Sequence, residues 1–274
     1  MKTHLLRAAT ALTLSIVIAS SFGQEQAETI TVPLSRSTEP MSLKIELLSA
    51  RLEVVGEDRK DVGLSVGQSG GGRKIVMPSG VKTLPGGSYQ LEVDERNNRV
   101  TVESDSHQGR FDIVARVPRR ANLDLSTVNN SEIIVRNVIG NLQLANINGP
   151  ISVTNVSGSL IAETVNSPIT AEFAGIDASA AAALTSLNGD ISVTLPAKAG
   201  VELRIDTSRG KIESDFELDV KPSKPVIQRD ERSPGREGVS VRVEQVIVAT
   251  VNGGGPVIRI KTLNGDLHIR KAGN

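Results

Sequence analysis

Apolar and polar residues alternate through most of this chain beyond its first two dozen positions. From Ile30 to Val66, as in LKIELLSARLEVVGEDRKDVGLSV, the period is two and the breaks fall between Gly56 and Asp61, which predicts β-strands. A Gly-rich stretch, GQSGGGRKIVMPSGVKTLPGGS, leads to YQLEVDERNNRVTVES, a predicted hairpin turning at Asn97 and Asn98. A further strand, FDIVARVP, ends at Pro118.

Beyond it one short phrase recurs. It reads NSEIIV from Asn130, NGPISV from Asn148, NSPITA from Asn166 and NGDISV from Asn188, with variants RGKIES from Arg209 and NGDLHI from Asn264. The first three begin 18 residues apart and the fourth 22 further on. That spacing is too short for a helical repeat and suits stacked β coils. Each coil divides into two strands and two turns, the second turn marked by Gly140, Gly158, Gly175 and Gly200, since Gly and Asn tolerate the positive φ of tight corners. Stacking predicts columns. Ile133, Ile151, Ile169, Ile191, Ile212 and Leu267 form one inward column; Val135, Val153, Ala171, Val193, Ser214 and Ile269 form the next. The residues between them, Ile134, Ser152, Thr170, Ser192, Glu213 and His268, face out. Ala162, Ala171 and Ala178 suit a narrow interior.

The expected fold is therefore all-β, a parallel β-solenoid (β-helix-like) with an N-terminal β-strand region capping it, because a stack of coils leaves strand edges that need cover. The strand region covers 28–120 and the repeats 121–271, with a proline-containing loop insertion at 219–238. An antiparallel sandwich is the competing reading, since Asn-Gly between alternating strands is also a hairpin signal.

The first residues read differently. Lys2 and Arg7 precede an apolar run from Ala8 to Ala19 that ends in small residues, the layout of a secretory signal peptide. We place it at 1–23 with cleavage after Gly23; Ala19 to Ser21 is the alternative. An exported protein, periplasmic or secreted, is expected. The chain has no Cys, so neither disulfides nor a lipid-modified cysteine can hold it, and no second apolar stretch predicts a stable membrane anchor.

Lys plus Arg equal Asp plus Glu at 31 each, which leaves no basic field for nucleic acid. With no Trp, one Tyr and four Phe, stacking platforms for sugars or single-stranded nucleic acid are scarce as well. Aliphatic residues must build the core.

The segments STVNN, ETVNS, TSLNGDI, ATVNG and KTLNGDL resemble the repeated Thr-Val-Asn-Gly-Asp-Ile unit of the bacterial putative-adhesin domain family of unknown function. LKIELLSARLEVVGED and the strand leading to VPRRANLDL are similar to that family's opening, so the resemblance covers about Ile30 to Arg270. It implies an exported β-solenoid and brings no catalytic residues. Ser131 and Ser167 in place of Gly, and Arg209 in place of Asn, depart from the unit.

Candidate chemistry is sparse. His107 falls in a polar loop and His268 on an outward position, without a second histidine or a cysteine to complete a metal site. Asp190 and Asp266 sit in NGD corners, where corner solvation competes with calcium; the turn asparagines could bond to one another along the coil axis or present amides to a ligand. Thr127, Thr164, Thr207, Thr250 and Thr262 form a partial row at the corners, interrupted by Asn146 and Ser186. Arg116, Arg119 and Arg120 lie close in sequence to Asp112 and Asp124, which suggests surface pairing.

No catalytic, cofactor or metal residue is expected. The candidate binding residues are the outward Ser152, Thr154, Thr170 and Ser192, and the expected function is a non-enzymatic, adhesin-like interaction scaffold at the surface or in the periplasm. Its partner would be an envelope protein or an extracellular polymer. A polysaccharide-active enzyme of the parallel β-helix kind is the alternative, and would need clustered acid and base side chains on one face.

Overall fold

A computed structural model describes residues 28–69, 91–104, 110–129, 131–176, 181–221, 226–230, 240–244 and 246–273. The expected signal peptide at 1–23 lies outside them, as do Asn130, His107 and Ala178.

The fold is all-β, with no helix among the described residues. Twenty strands form one sheet of mixed orientation, wrapped barrel-like around an aliphatic core. Two faces enclose that core, and each strand alternates buried and outward residues, as in Ala182–Ser186 and Ile191–Leu195. The strand Ile151–Thr164 belongs to both faces: it bends at Asn155 (φ 54°) and Gly158 (φ 105°), pairing with Ile169–Phe173 before the bend and Ala182–Ser186 after it.

A rung is one strand on each face. Neighbouring rungs pair in parallel from Arg99–Ser104 and Arg110–Pro118 at one end to Val201–Thr207 and Ile212–Ser214 at the other. Outside this stretch the pairing is antiparallel. Glu28–Pro33 and Asp61–Ser69 extend one face and Leu91–Arg96 the other, while Ile247–Val251 and Asp219–Lys221 finish the far end. Hydrophobic columns do not require the parallel order to reach the ends, because alternation buries the same face of a strand in either direction.

The columns form as expected except at Ile212 and Ser214, which are only half-buried at the far end. Ile151 lies level with Ile133 and Ile169, Ile169 with Ile191, and Val153 with Val135 and Ala171. All of these are buried. Their order in space differs from their order in sequence. Leu267 stacks on Ile191, and Ile212 stacks on Leu267, so the last rung is intercalated between two earlier ones. The rung of Met41–Leu47 and Ala50–Glu57 is likewise internal, between Arg99–Pro118 and Ala121–Arg136. Only the antiparallel strands of the N-terminal region lie at its outer end. The signal that hides this is simple: Leu43 and Ile45, Leu52 and Val54 fill the same inward columns as Leu123 and Leu125, Ile133 and Val135, yet their rung carries no Asn phrase.

Two expectations are corrected. The loop at 219–238 contains strands: Asp219–Lys221 pairs with Ile247–Val251, and Val226–Asp230 forms a separate two-stranded ladder with Ser240–Glu244. The segment ATVNG is not a corner phrase. Its strand runs antiparallel to Val201–Thr207, which buries Val251, and Asn252 (φ 47°) turns the chain by donating its amide to the carbonyls of Ala197 and Ala199 at 3.1 and 2.9 Å.

Candidate functional site

Ser152, Thr170 and Ser192 stand on three successive rungs and face outward in one line, spaced by the separation of paired strands, about 4.8 Å. Thr154 is not on it. The register shifts between Val153 and Val156, so Thr154 lies level with Arg136 on one side and with no residue of the Ile169–Phe173 strand on the other. Beyond Ser152 the line continues into Ile134, which is buried although it is on the outward side. Arg51, bonded to Glu53 at 3.3 Å and Glu132 at 3.1 Å, and an ion pair between Arg136 and Glu53 occupy the same patch.

Beyond Ser192 the line reaches His268 and Glu213. Glu213 lies 3.0 Å from Nδ1 of His268 and 3.2 Å from Arg270, which also reaches Asp215 at 3.3 Å. The backbone N–H of Lys271, and after it Arg270, holds the Asp215 carboxyl below the usual aspartate range. Among the described residues no carboxylate or imidazole bonds to the hydroxyls of Ser152, Thr170 or Ser192, and no three His, Cys, Asp or Glu gather as a metal site. Hydroxyls so placed can donate and accept hydrogen bonds along an extended ligand.

The threonine row faces inward. Thr127, Asn146, Thr164, Ser186 and Thr262 are successive and buried, and from Asn146 onward they brace the corners, whereas the Thr127 hydroxyl has no hydrogen-bond partner among the described residues. Ser186 accepts the N–H of Gly189 at 2.8 Å and donates to the carbonyl of Ser167 at 3.1 Å; Thr262 does the same with Gly265 and Gly189. At these two positions one hydroxyl serves the turn amide of its own rung and a carbonyl of the neighbouring rung, which suits Ser as well as Thr; Asn146 instead accepts the Ser131 hydroxyl at 2.6 Å and donates its Nδ2 to the carbonyl of Pro150 at 3.4 Å. Thr250 is not part of it; its hydroxyl faces Asp219 at 3.5 Å.

The corner asparagines bond to one another. Nδ2 of Asn148 donates to Asn129 at 3.0 Å, Asn166 to Asn148 at 2.8 Å, Asn188 to Asn166 at 2.8 Å and Asn264 to Asn188 at 2.7 Å; Arg209 then donates to Asn264 at 3.3 Å. Among the described residues Asn129 begins the line. A second, shorter amide pair joins Asn155 to Asn137 at 2.6 Å, both at positive φ, on the corner where glycines alone were expected. The corner aspartates also serve the backbone. Asp190 accepts the N–H of Asp266 and Asp266 that of Lys211, each at 2.8 Å, while Pro150 and Pro168 at this position have no N–H to satisfy. Arg116 pairs with Glu57 at 2.5 Å, not with Asp112 or Asp124.

Beside the asparagines runs a line of apolar residues that the repeat columns do not include. Leu48, Val128, Ile147, Val165, Leu187 and Leu263 occupy six successive rungs, with Ser208 on the seventh; each follows the inward polar position except Leu48, which follows the buried Leu47. Leu48, Ile147, Leu187 and Leu263 are 48, 43, 45 and 41% exposed. A shallow groove of about 880 Å³ follows this line, bordered by Glu163, Thr185, Lys261 and Asp206. A smaller one of about 520 Å³, lined by Lys44, Arg99, Asp124, Asn141 and Gln143 among others, lies farther along the same face. The sequence signal for the apolar line is the aliphatic residue standing before Asn in phrase after phrase.

No protein-family model matches the chain, and no curated protein does. Among the solved structures to which the chain is similar are three with low identity. One is a putative cell adhesion protein from Clostridium sporogenes, 11% identical, with a TM-score of 0.43, covering 90% of this chain and 100% of that one. A putative adhesin from Bacteroides fragilis is 11% identical, with a TM-score of 0.33, covering 91% of this chain and 98% of that one. A putative adhesin from Parabacteroides merdae is 9% identical, with a TM-score of 0.26, covering 92% and 98%.

Proposed function

We propose that this chain is an exported, non-enzymatic, adhesin-like scaffold, a β-solenoid along its parallel rungs, that holds an extended partner on its outer face. The observation that carries the reading is the line Ser152, Thr170 and Ser192, one hydroxyl per rung, to which no carboxylate or imidazole of the described residues bonds. Regular spacing along an open face suits repeated weak contacts with a polymer or an elongated envelope protein; acid–base chemistry needs groups that converge on one atom. Thr154, two residues along the strand from Ser152, would contribute at its margin. The resemblance of the repeated phrase to the bacterial adhesin-type domains supports the same reading.

The test is retention of the purified protein on isolated cell envelopes. Replacing Ser152, Thr154, Thr170 and Ser192 together by Ala should leave the melting temperature within a few degrees and reduce retention at least several-fold. Turnover of an envelope polysaccharide, abolished by one acidic substitution that leaves the fold intact, would instead establish the enzyme reading.

A further inference from the structure

The smaller groove, of about 520 Å³, crosses five neighbouring rungs on the face opposite the hydroxyl line, a length of about 19 Å. Arg99, Ser42, Asn122, Asn141 and Ser159 form one line along it, each beside the next on a neighbouring strand. Lys44, Asp124, Gln143 and Ile161 form a second. Lys44 bonds to Glu46 at 3.1 Å, and Asn122 accepts the backbone N–H of Asn141 at 2.9 Å. The side chains of Arg99, Asp124, Asn141, Gln143 and Ser159 form no hydrogen bond or ion pair among the described residues. Arg99 and Asp124 stand two rungs apart on different lines and do not meet. The opposite face differs, for there Arg51, Arg136 and Arg270 each hold a carboxylate. Every strand that borders the groove is paired on both sides, so an occupant must be recognised by side chains and not by strand addition.

We propose that this groove binds a stretch of neutral polysaccharide through hydrogen bonds. A sugar hydroxyl both donates and accepts. It therefore satisfies the Asp124 carboxylate, which only accepts, the Arg99 guanidinium, which only donates, and the amides of Asn141 and Gln143, which do both. The two unpaired charges select for neutrality, because a polyanion is repelled at Asp124 and a polycation at Arg99. Neighbouring rungs lie about 4.8 Å apart and the two lines about 6.7 Å apart, so one cell of this grid spans roughly one pyranose ring and the five rungs suit several linked sugars. An apolar peptide would find little to hold it: Leu43, Leu123 and Leu142 of the lining are buried, and Ile161 alone among the lining residues is a strongly exposed hydrophobe, at 44%. Ile161 offers the C–H face of a ring a flat aliphatic surface in place of an aromatic one. The proposal goes beyond the hydroxyl line and holds whether or not that opposite face binds a partner.

Affinity electrophoresis of the full chain through native gels containing dextran, laminarin, mannan or galactan tests this, with mobility taken relative to a polymer-free gel. At least one of these neutral polymers should slow the chain, and to the same extent at low and high salt. Asp124→Ala and Gln143→Ala should each weaken the apparent Kd at least fivefold. Both positions are exposed, so melting should stay near that of the parent. The variant with Ala at Ser152, Thr154, Thr170 and Ser192 should be slowed as the parent is. No slowing by any of the four polymers, or slowing that is indifferent to both groove variants, would overturn the proposal. So would slowing lost in the hydroxyl-line variant, which would assign the sugar to the opposite face. Slowing by polygalacturonate alone, strengthened by Asp124→Ala, would overturn it as well by giving the groove an anionic ligand.

Discussion

Asn264 donates its side-chain amide to the carbonyl of Asn188 at 2.7 Å, although 76 residues of sequence separate them. The bond joins the intercalated last rung to the rung beneath it and continues a line of amides that runs through Asn166 and Asn148 to Asn129. Each interior member both donates and accepts. Removing one therefore breaks two bonds at once.

Asn188→Ala is expected to lower stability by about 1–2 kcal/mol, since the lost bonds are exposed and water replaces part of each. Chemical denaturation measures this, and an unchanged midpoint would mean that the amide line contributes nothing to the fold.

Glycine at the same corner is required for space. A Cβ on Gly189 would sit 1.9 Å from the carbonyl oxygen of Ser167 in the next rung, whereas one on Gly253 would meet nothing within 4 Å and would suffer only from its φ of +85°. Gly189→Ala should thus cost at least about 2 kcal/mol, because the rungs must part to admit the methyl. Gly253→Ala should cost about 1 kcal/mol, the penalty of left-handed backbone alone. Thermal melts of the two variants should separate clearly, and equal losses would contradict the close approach of the rungs.

Acid sensitivity should trace in part to the first hairpin. Burial pushes the Glu95 carboxyl up, but the hydroxyl and N–H of Ser35 and the N–H of Asn98 all bond to its Oε1 and together hold it below the ordinary glutamate value of 4.5. The folded state thus binds this proton less readily than the unfolded one. The stabilisation is present above about pH 4.5 and lost as pH falls through the lower, folded value. In Glu95→Gln the denaturation midpoint should fall less steeply between neutral pH and pH 3 than in the parent, and parallel curves would remove Glu95 from the acid response.

Neighbouring residues on one strand should respond in opposite ways. Ile151 is buried in the column between Ile133 and Ile169, and Ser152 faces solvent. Ile151→Asp places a charge with no partner among aliphatic side chains and should cost several kcal/mol, enough to unfold a protein of ordinary stability, about 5–15 kcal/mol. Ser152→Asp should stay within about 0.5 kcal/mol. Circular dichroism on the two variants would reveal any error in the facing of this strand.

Facing of this kind is legible in the sequence, because alternation records which side of a strand meets the core. The order of stacking is not. A parallel rung is satisfied by any neighbour whose apolar residues share its register, so Leu267 fits equally well beside Ile191 or beyond Ile212, and nothing local distinguishes the two. Strand direction is hidden for a related reason: ATVNG reads as another corner, yet Val251 is buried by antiparallel pairing with Val201. Among the candidate binding residues Ser152, Thr170 and Ser192 fall in line as spaced, whereas the irregularity after Val153 that displaces Thr154 leaves no mark on the alternation.

Intercalation makes the last rung more consequential than its place in the sequence suggests. Val257–Thr262 and Leu267–Lys271 fill a slot between the rung of Ala182–Leu195 and that of Val201–Ser214, pairing on both sides. Removing residues 257–271 would leave two parallel strand edges facing an empty slot and uncover Leu184, Ile191, Leu203 and Ile205, so the variant should aggregate or lose cooperative melting. Excising 222–246 should have the opposite outcome. Lys221 lies level with Val248 in an antiparallel pair, so an Asn-Gly link between residues 221 and 247 can close a tight hairpin while every pairing of the large sheet is kept. A melting temperature within a few degrees of the parent is expected for the excision, against a collapse for the truncation. The reverse ranking would show that the last rung is peripheral and that Asn264 and Asn188 meet without supporting the stack.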